Sequence, residues 1–344
     1  MTKRVRLLLL GLAATASLAF AGSALAAFTP KLVVSHTPPT PDTSGTAQIR
    51  VTVPRDDDAL FRVVIYAPAG YRATLGQAAG ATIGSVSAQV QVQEPIAGAV
   101  LPITGNIVVT DAASVATQSL QCTQTATHSA YWVLVLSAAG QELRVPMFVD
   151  LAVGAEATFS AVKLTACLPS PHIPASVGGA AFGAKLLEAD LRVQSVFTSP
   201  ATGTHTWRAV ATPWSPPATP NVGGTVEARA QISLPGRLTL TATSRKKVLT
   251  VRGSLTEAGD GIAGQRVNVR IGSKTLRATT SSSGAFRVSL KFKKATRVRV
   301  TATAAVPERT PAAQCSAASP LPVRCATETL WSFTATRTLV ARVR

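Results

Sequence analysis

Nearly every apolar run in this chain alternates with period two and stops at Gly, Pro, Asn or Asp. That period places successive side chains on opposite faces of an extended backbone, so each run reads as a strand with one apolar face. In residues 266–271, Val267, Val269 and Ile271 share one face while Arg266, Asn268 and Arg270 share the other. Phe286, Val288, Leu290 and Phe292 likewise oppose Arg287, Ser289, Lys291 and Lys293, and Val298 and Val300 oppose Arg297 and Arg299. Earlier strands are expected at 31–35, 47–53, 61–67, 85–92, 106–110, 158–166, 191–197, 206–212 and 225–233, with 131–137 and 142–149 forming a hairpin. Only residues 180–189 read as helical. Residues 213–224, with four prolines and two glycines, read as an extended loop. The run Leu101-Pro102-Ile103-Thr104-Gly105 resembles a sortase signal, but it sits mid-chain and reads as a turn between strands.

The N-terminus is excluded from the fold. Lys3, Arg4 and Arg6 precede an uncharged apolar stretch at 7–21, and Ala24-Leu25-Ala26 supplies the small residues a signal peptidase needs. Residues 1–26 are therefore expected to be a cleaved signal peptide, leaving a bacterial protein, secreted or on the cell surface, that begins at Ala27. An uncleaved membrane anchor over 7–28 is the rival reading. Four cysteines, Cys122, Cys167, Cys315 and Cys325, are an even number, which in an exported chain reads as disulfides. The simplest pairing is Cys122–Cys167 and Cys315–Cys325. A zinc site is the alternative, but no CxxC or CxH spacing supports it, and no metal or cofactor is expected.

Charge divides the chain in two. Residues 27–230 carry 11 Lys and Arg against 12 Asp and Glu, whereas residues 231–344 carry 20 against 4. The boundary is placed at Pro235-Gly236, giving a neutral domain at 27–234 (one unit or two) and a basic domain at 235–344. The cations of the second half lie on the outward faces of strands (Arg266, Arg270, Arg287, Lys291, Arg297 and Arg299) or in turns (Lys246, Lys247, Lys293 and Lys294). Such a surface suits a polyanion or an anionic membrane. Lysines on strands also discourage edge-to-edge aggregation, and solubility alone is the bland alternative.

Two runs carry a family resemblance. Gly261-Ile262-Ala263-Gly264-Gln265-Arg266-Val267-Asn268-Val269 is similar to the G-x-P-x-x-G-x-x-V-x-V run of bacterial immunoglobulin-like and carboxypeptidase-regulatory-like domains. Ser281-Ser282-Ser283-Gly284-Ala285-Phe286-Arg287-Val288 is similar to their T-D-x-x-G-x-F-x-V turn and strand. Ile262 stands where the usual Pro would be, and the usual Asp is missing. The resemblance covers about residues 237–304 and implies a β-sandwich with an accessory or adhesive role. In the first half, Cys122, Trp132 and Cys167 resemble the Cys…Trp…Cys pattern of immunoglobulin domains, with Thr165 where the tyrosine corner would be. The expected fold is all-β: two immunoglobulin-like sandwiches in tandem, or three, after a signal peptide.

Chemistry is sparse. There is no GxSxG, HExxH, Walker A loop or dinucleotide fingerprint, so no catalytic residue is assigned. His36, His128, His172 and His205 stand without an acid at helical or strand spacing. Asp56-Asp57-Asp58 suits a turn; calcium would need further ligands such as Asp42 or Asp111. Glu142, Asp150, Glu156, Glu188 and Asp190 are available as paired carboxylates, but nothing in sequence pairs them. Trp207 is expected in the core. Trp214 is expected in the proline-rich loop, either exposed for stacking on a sugar or partner or packed on Pro216 and Pro217.

The expected function is a non-enzymatic envelope protein whose basic domain contacts an anionic wall polymer or membrane surface. The alternatives are a polysaccharide-binding or adhesion module using Trp214, and a secreted hydrolase with its site in the first half. Nucleic acid is a poor fit, because basic and aromatic residues do not interleave.

Overall fold

The computed structural model describes residues 28–94, 96–138, 140–309, 315 and 318–344; the signal peptide expected at 1–26 lies outside these. The strands of the first half are β1 Lys31–Thr37, β2 Ser44–Thr52, β3 Leu60–Pro68, β4 Arg72–Ala73, β5 Thr82–Gln91, β6 Val100–Thr110, β7 Ala130–Ala138, β8 Gln141–Leu151, β9 Ser160–Cys167, β10 Lys185–Thr198, β11 Gly203–Ser215, β12 Thr219–Pro220 and β13 Val226–Leu234. Those of the second half are β14 Gly236–Leu238, β15 Thr241–Arg245, β16 Val248–Glu257, β17 Asp260–Gly261, β18 Arg266–Ile271, β19 Lys274–Thr279, β20 Ala285–Lys291, β21 Thr296–Val306, β22 Arg324–Leu330 and β23 Phe333–Val343. One helix of two turns, α1, spans Ala116–Thr123. The protein is all-β, as its alternation requires.

The first half forms one hydrogen-bonded sheet in the order β1-β2-β10-β5-β6-β7-β8-β9-β3-β11-β13-β22, with β4 on β10 and β12 on β11. Every pairing is antiparallel except that of β13 with β22. The ends of this order meet. The Thr327 and Thr329 hydroxyls of β22 donate to the carbonyls of Pro30 and Leu32, at and just before β1. The product is a nearly closed, barrel-like sheet, where an immunoglobulin-like sandwich was expected. Curling the sheet until its ends touch protects edge strands that would otherwise be exposed. Trp132, Trp207, Phe197, Ile49, Ile65, Ile107 and Leu164 fill the interior and are fully buried. The Cys122–Cys167 bridge (S–S 2.08 Å) does not cross that core. It ties α1 to β9 on the outer wall, in a separate cluster with Val115, Val133 and Phe148. The resemblance to the immunoglobulin Cys…Trp…Cys arrangement therefore fails in space.

Several local readings change as well. Residues 185–189 are strand, not helix, because β10 is paired on both sides, by β2 and β5; only Ala181–Gly183 makes a short helical turn. Tertiary pairing overrides the helix preference of alanine there. Residues 101–105 lie inside β6, paired with β5 on one side and, at Thr104 and Gly105, with β7 on the other. The proline-rich stretch is shorter than expected as a loop: β11 runs to Ser215 and turns back through β12.

In the second half, β16 pairs with β14, β15, β17 and β20, and a second sheet runs β19-β18-β21-β23. Leu249, Val251, Leu255, Phe286 and Val288 from the first sheet share a core with Val267, Val269, Ile271, Val300, Ala302 and Ala304 from the second. The outward positions are mostly polar, as the alternation demands, with Val340 of β23 an exposed apolar exception. The two glycine-bearing runs of the family resemblance meet in space. Gly284 has φ +75°, and a Cβ there would come within 2.2 Å of the Leu255 carbonyl and 3.0 Å of the Gly261 Cα, so neither turn tolerates a side chain at this crossing. Residues 324–330, grouped by sequence with the basic domain, leave it and enter the barrel sheet as β22. The chain then returns as β23, passing through the stacked pair Trp331 and Phe333 (4.4 Å). The second bridge, Cys315–Cys325, lies at the start of β22.

Candidate functional site

All ten cations singled out by sequence are exposed, and the two sheets sort them. On the β15-β16-β20 sheet the outward positions include Arg245, Arg252, Arg287 and Lys291, with Arg252 directly opposite Arg287. On the β19-β18-β21-β23 sheet they are Arg266, Arg270, Arg277, Arg297, Arg299 and Arg342, with Arg297 directly opposite Arg342. Sequence reasoning missed Arg245, Arg252, Arg277 and Arg342. Their strands carry the same alternation, which was the available signal.

The turns gather further charge at one end of the module. The Lys247 N–H donates to the Arg344 carbonyl (2.7 Å), and the Lys247 carbonyl accepts from the Phe292 N–H (2.8 Å). The Gly272 N–H, between β18 and β19, donates to the Arg299 carbonyl (3.0 Å). These bonds bring Lys246, Lys247, Lys274, Lys293, Lys294 and Arg344 to the same distal end. Lys246 and Lys247 both have positive φ, at 48° and 62°, as a tight two-residue hairpin turn requires.

The four carboxylates of this half lie at its other end. Glu257 binds Arg309 (2.6 Å), Glu308 pairs with Lys31 of β1, Glu328 accepts from Gln231 inside the barrel sheet, and Asp260 lies in the hairpin whose Ala258 N–H bonds the Pro235 carbonyl. Strand β16, ten residues long, separates the two ends by roughly 30 Å. Among the described residues, no carboxylate pairs with any cation from Arg237 to Arg299.

A second feature is a groove of about 550 Å³ on the outer barrel wall. Its floor is Phe61, Phe148, Trp214 and the Cys122–Cys167 bridge; Gln118, Gln121 and Arg144 stand at its rim. Trp214 is not a free platform. It belongs to β11, is only 9% exposed, packs against Phe61 at 4.6 Å, and donates its indole N–H to the Leu168 carbonyl. Packing on Phe61 and the bond to Leu168 hold the ring flush in the outer wall, so little of it is offered.

The histidines correct another expectation, since His128 does find an acid. Its Nδ1 lies 2.9 Å from Asp150 Oδ2 and its Nε2 lies 2.9 Å from Ser119 Oγ. The β7–β8 hairpin brings His128 and Asp150 together, and α1 supplies Ser119. Spacings of 9 and 22 residues across two element types hide this from a sequence search. The order Ser–His–Asp is that of a nucleophilic triad, but Ser119 is completely buried and its hydroxyl donates to the Thr125 carbonyl (2.5 Å). A nucleophile needs a route to its substrate, so this arrangement instead fastens α1 to the barrel wall.

The remaining acids serve locally. Asp57 accepts from the Thr29 N–H (2.6 Å), Asp42 pairs with Arg72 and Asp111 caps Ser114, so neither Asp42 nor Asp111 joins Asp56–Asp58. Glu142 pairs with Arg144, Glu156 with Lys163, and both Glu188 and Asp190 with Arg50. Among the described residues no cluster of His, Cys, Asp or Glu is suited to hold a metal ion, and no helix is long and apolar enough to cross a membrane. The two disulfides fit an oxidising, extracellular location. No model of a known protein family matches the chain, and no curated protein is similar to it.

Proposed function

We propose that the protein is a secreted, non-enzymatic component of the bacterial envelope, held there by its basic C-terminal module. The module is read as an accessory β-sandwich of immunoglobulin-like or carboxypeptidase-regulatory-like type. The observation that carries this reading is the polarisation of charge. Exposed cations cover the outward faces and distal end of a rigid β unit, and all its carboxylates are drawn to the junction with the barrel. Exposed charges without partners leave their full field available to an anionic surface, and that field weakens with salt. The test is sedimentation of the purified protein with isolated envelopes at low and high salt. Binding is expected at low salt and loss at high salt, and the Arg287→Glu, Lys291→Glu, Arg297→Glu, Arg299→Glu variant should remain in the supernatant. Retention of that variant would refute the proposal.

The groove favours a second reading, carbohydrate or partner binding at Phe61, Phe148 and the Trp214 edge. That mode would ignore salt and be lost on Trp214→Ala.

A further inference from the structure

Resting on the anchoring reading, we propose that the basic module binds a flexible polyanionic chain that runs over both faces and the distal end, and not a flat lipid surface. The argument comes from where the charges sit. The two outward faces point in opposite directions, because the inward faces share one core. Packed sheets are about 10 Å apart, and an extended arginine on each side brings the guanidinium groups of the two faces roughly 20 Å apart. The Debye length at physiological ionic strength is about 8 Å. A plane touching Arg297 and Arg342 therefore gains nothing from Arg252 and Arg287, and the reverse also holds. A flat partner explains one charged face; this module has two.

Each face carries the same device. Two arginines stand directly opposite each other on neighbouring strands, Arg252 with Arg287 and Arg297 with Arg342. Like charges so placed repel, and an anion seated between them reverses the sign of that interaction. Hydroxyls accompany both pairs: Thr250 with Ser289 (3.1 Å) directly beside the first, and Thr301 with Thr338 (3.1 Å) one step further along the second face, beyond Arg299 and Val340. Forked guanidinium donors plus neutral hydroxyl donors, with no carboxylate on either face, suit the oxygens of a repeated phosphodiester or carboxylate. Between the faces, Lys246, Lys247, Lys293 and Lys294 make the distal end a continuous cationic bridge over which a chain could pass. A lipid surface met end-on would use those four lysines and leave the arginine pairs idle.

The experiment compares three probes: soluble polyphosphate, soluble polygalacturonate, and vesicles containing phosphatidylglycerol. Binding of the full protein is measured for wild type, Arg252→Gln/Arg287→Gln, Arg297→Gln/Arg342→Gln, and a distal variant with Lys246, Lys247, Lys293 and Lys294 changed to Gln. For a flexible polyanion, each arginine pair should lower affinity about tenfold at low salt and reduce the slope of log affinity against log salt by about 1.4. The two soluble probes decide between phosphate and carboxylate. The changes are at exposed positions, and circular dichroism with thermal melting confirms folding. Binding that depends on one face only, or on the distal lysines only with vesicles preferred, would overturn the proposal while leaving electrostatic anchoring intact. Envelope binding that ignores salt and every variant would instead remove the anchoring reading beneath it.

Discussion

The barrel and the basic module use charge in opposite ways. In the barrel, seven carboxylates among the described residues are met by a cation or an imidazole, several of them in partly or wholly buried positions. Glu227 is fully buried and binds Arg208 and Arg229 (2.8 Å); Asp190 is nearly buried and binds Arg50 (3.2 Å) and Gln48 (2.6 Å). In the module, cations outnumber acids and face solvent. A buried pair contributes geometry and is costly to break, whereas an exposed unpaired cation contributes little to the fold and is free to act on something else. Near-neutrality in one half and strong positive charge in the other are thus two different devices.

The largest expected effect tests the first device. Glu227→Gln removes the buried carboxylate that Arg208 and Arg229 both bind, and should cost about 3–5 kcal/mol in urea unfolding. Burial alone would raise the Glu227 pKa, but hydrogen bonds from Arg229, Ser319 and Arg208 outweigh it and hold the group below its ordinary 4.5. A carboxylate with a depressed folded pKa stabilises above its unfolded pKa and loses that contribution as pH falls through the folded value. Wild-type stability should therefore fall on acidification below about 4.5, and the variant should show a shallower fall over that window. An equal slope in both proteins would mean that the barrel charges are not structural.

The bridges give the next effect. By chain entropy, Cys122→Ser/Cys167→Ser opens a separation of 45 residues and should cost about 4 kcal/mol, while Cys315→Ser/Cys325→Ser opens 10 and should cost about 2.7. Equal losses would show that local packing, not chain constraint, sets their value. His128→Ala should follow at about 1–3 kcal/mol, because it strands the Asp150 carboxylate and loosens α1. Hydrogen exchange should show faster opening of 116–123 with the rest of the barrel unchanged.

What could be read from the sequence tracks how local the cause is. The inward and outward faces of β18, β20 and β21 follow from alternation alone, and the cysteines pair on their own sides of the domain boundary, as that boundary suggested. Barrel closure was not legible. It depends on β22 pairing in parallel with β13, about a hundred residues upstream, and on hydroxyls of Thr327 and Thr329 reaching β1. No short-range pattern encodes that return. Trp214 was misplaced for a related reason. The prolines around it suggested a loop, but pairing with β12 and packing on Phe61 decide its burial.

The smallest effect has the most to say about the comparison, because its sign separates charge kept for folding from charge kept for contact. Arg252 faces Arg287 directly across β16 and β20, with no carboxylate nearby among the described residues. Replacing Arg252 by Thr removes a like-charge pair and adds a β-branched residue to an outward strand position, both of which favour the folded sheet. The variant should be more stable than wild type by about 0.2–1 kcal/mol at low salt, and the gain should shrink as salt screens the repulsion it relieves. In the same preparation its affinity for envelopes should drop. A variant that gains stability and loses binding would show that the module tolerates repulsion for the sake of its partner. One that loses stability would place Arg252 with Arg229, as a structural charge, and erase the contrast between the two halves at the point where it is sharpest.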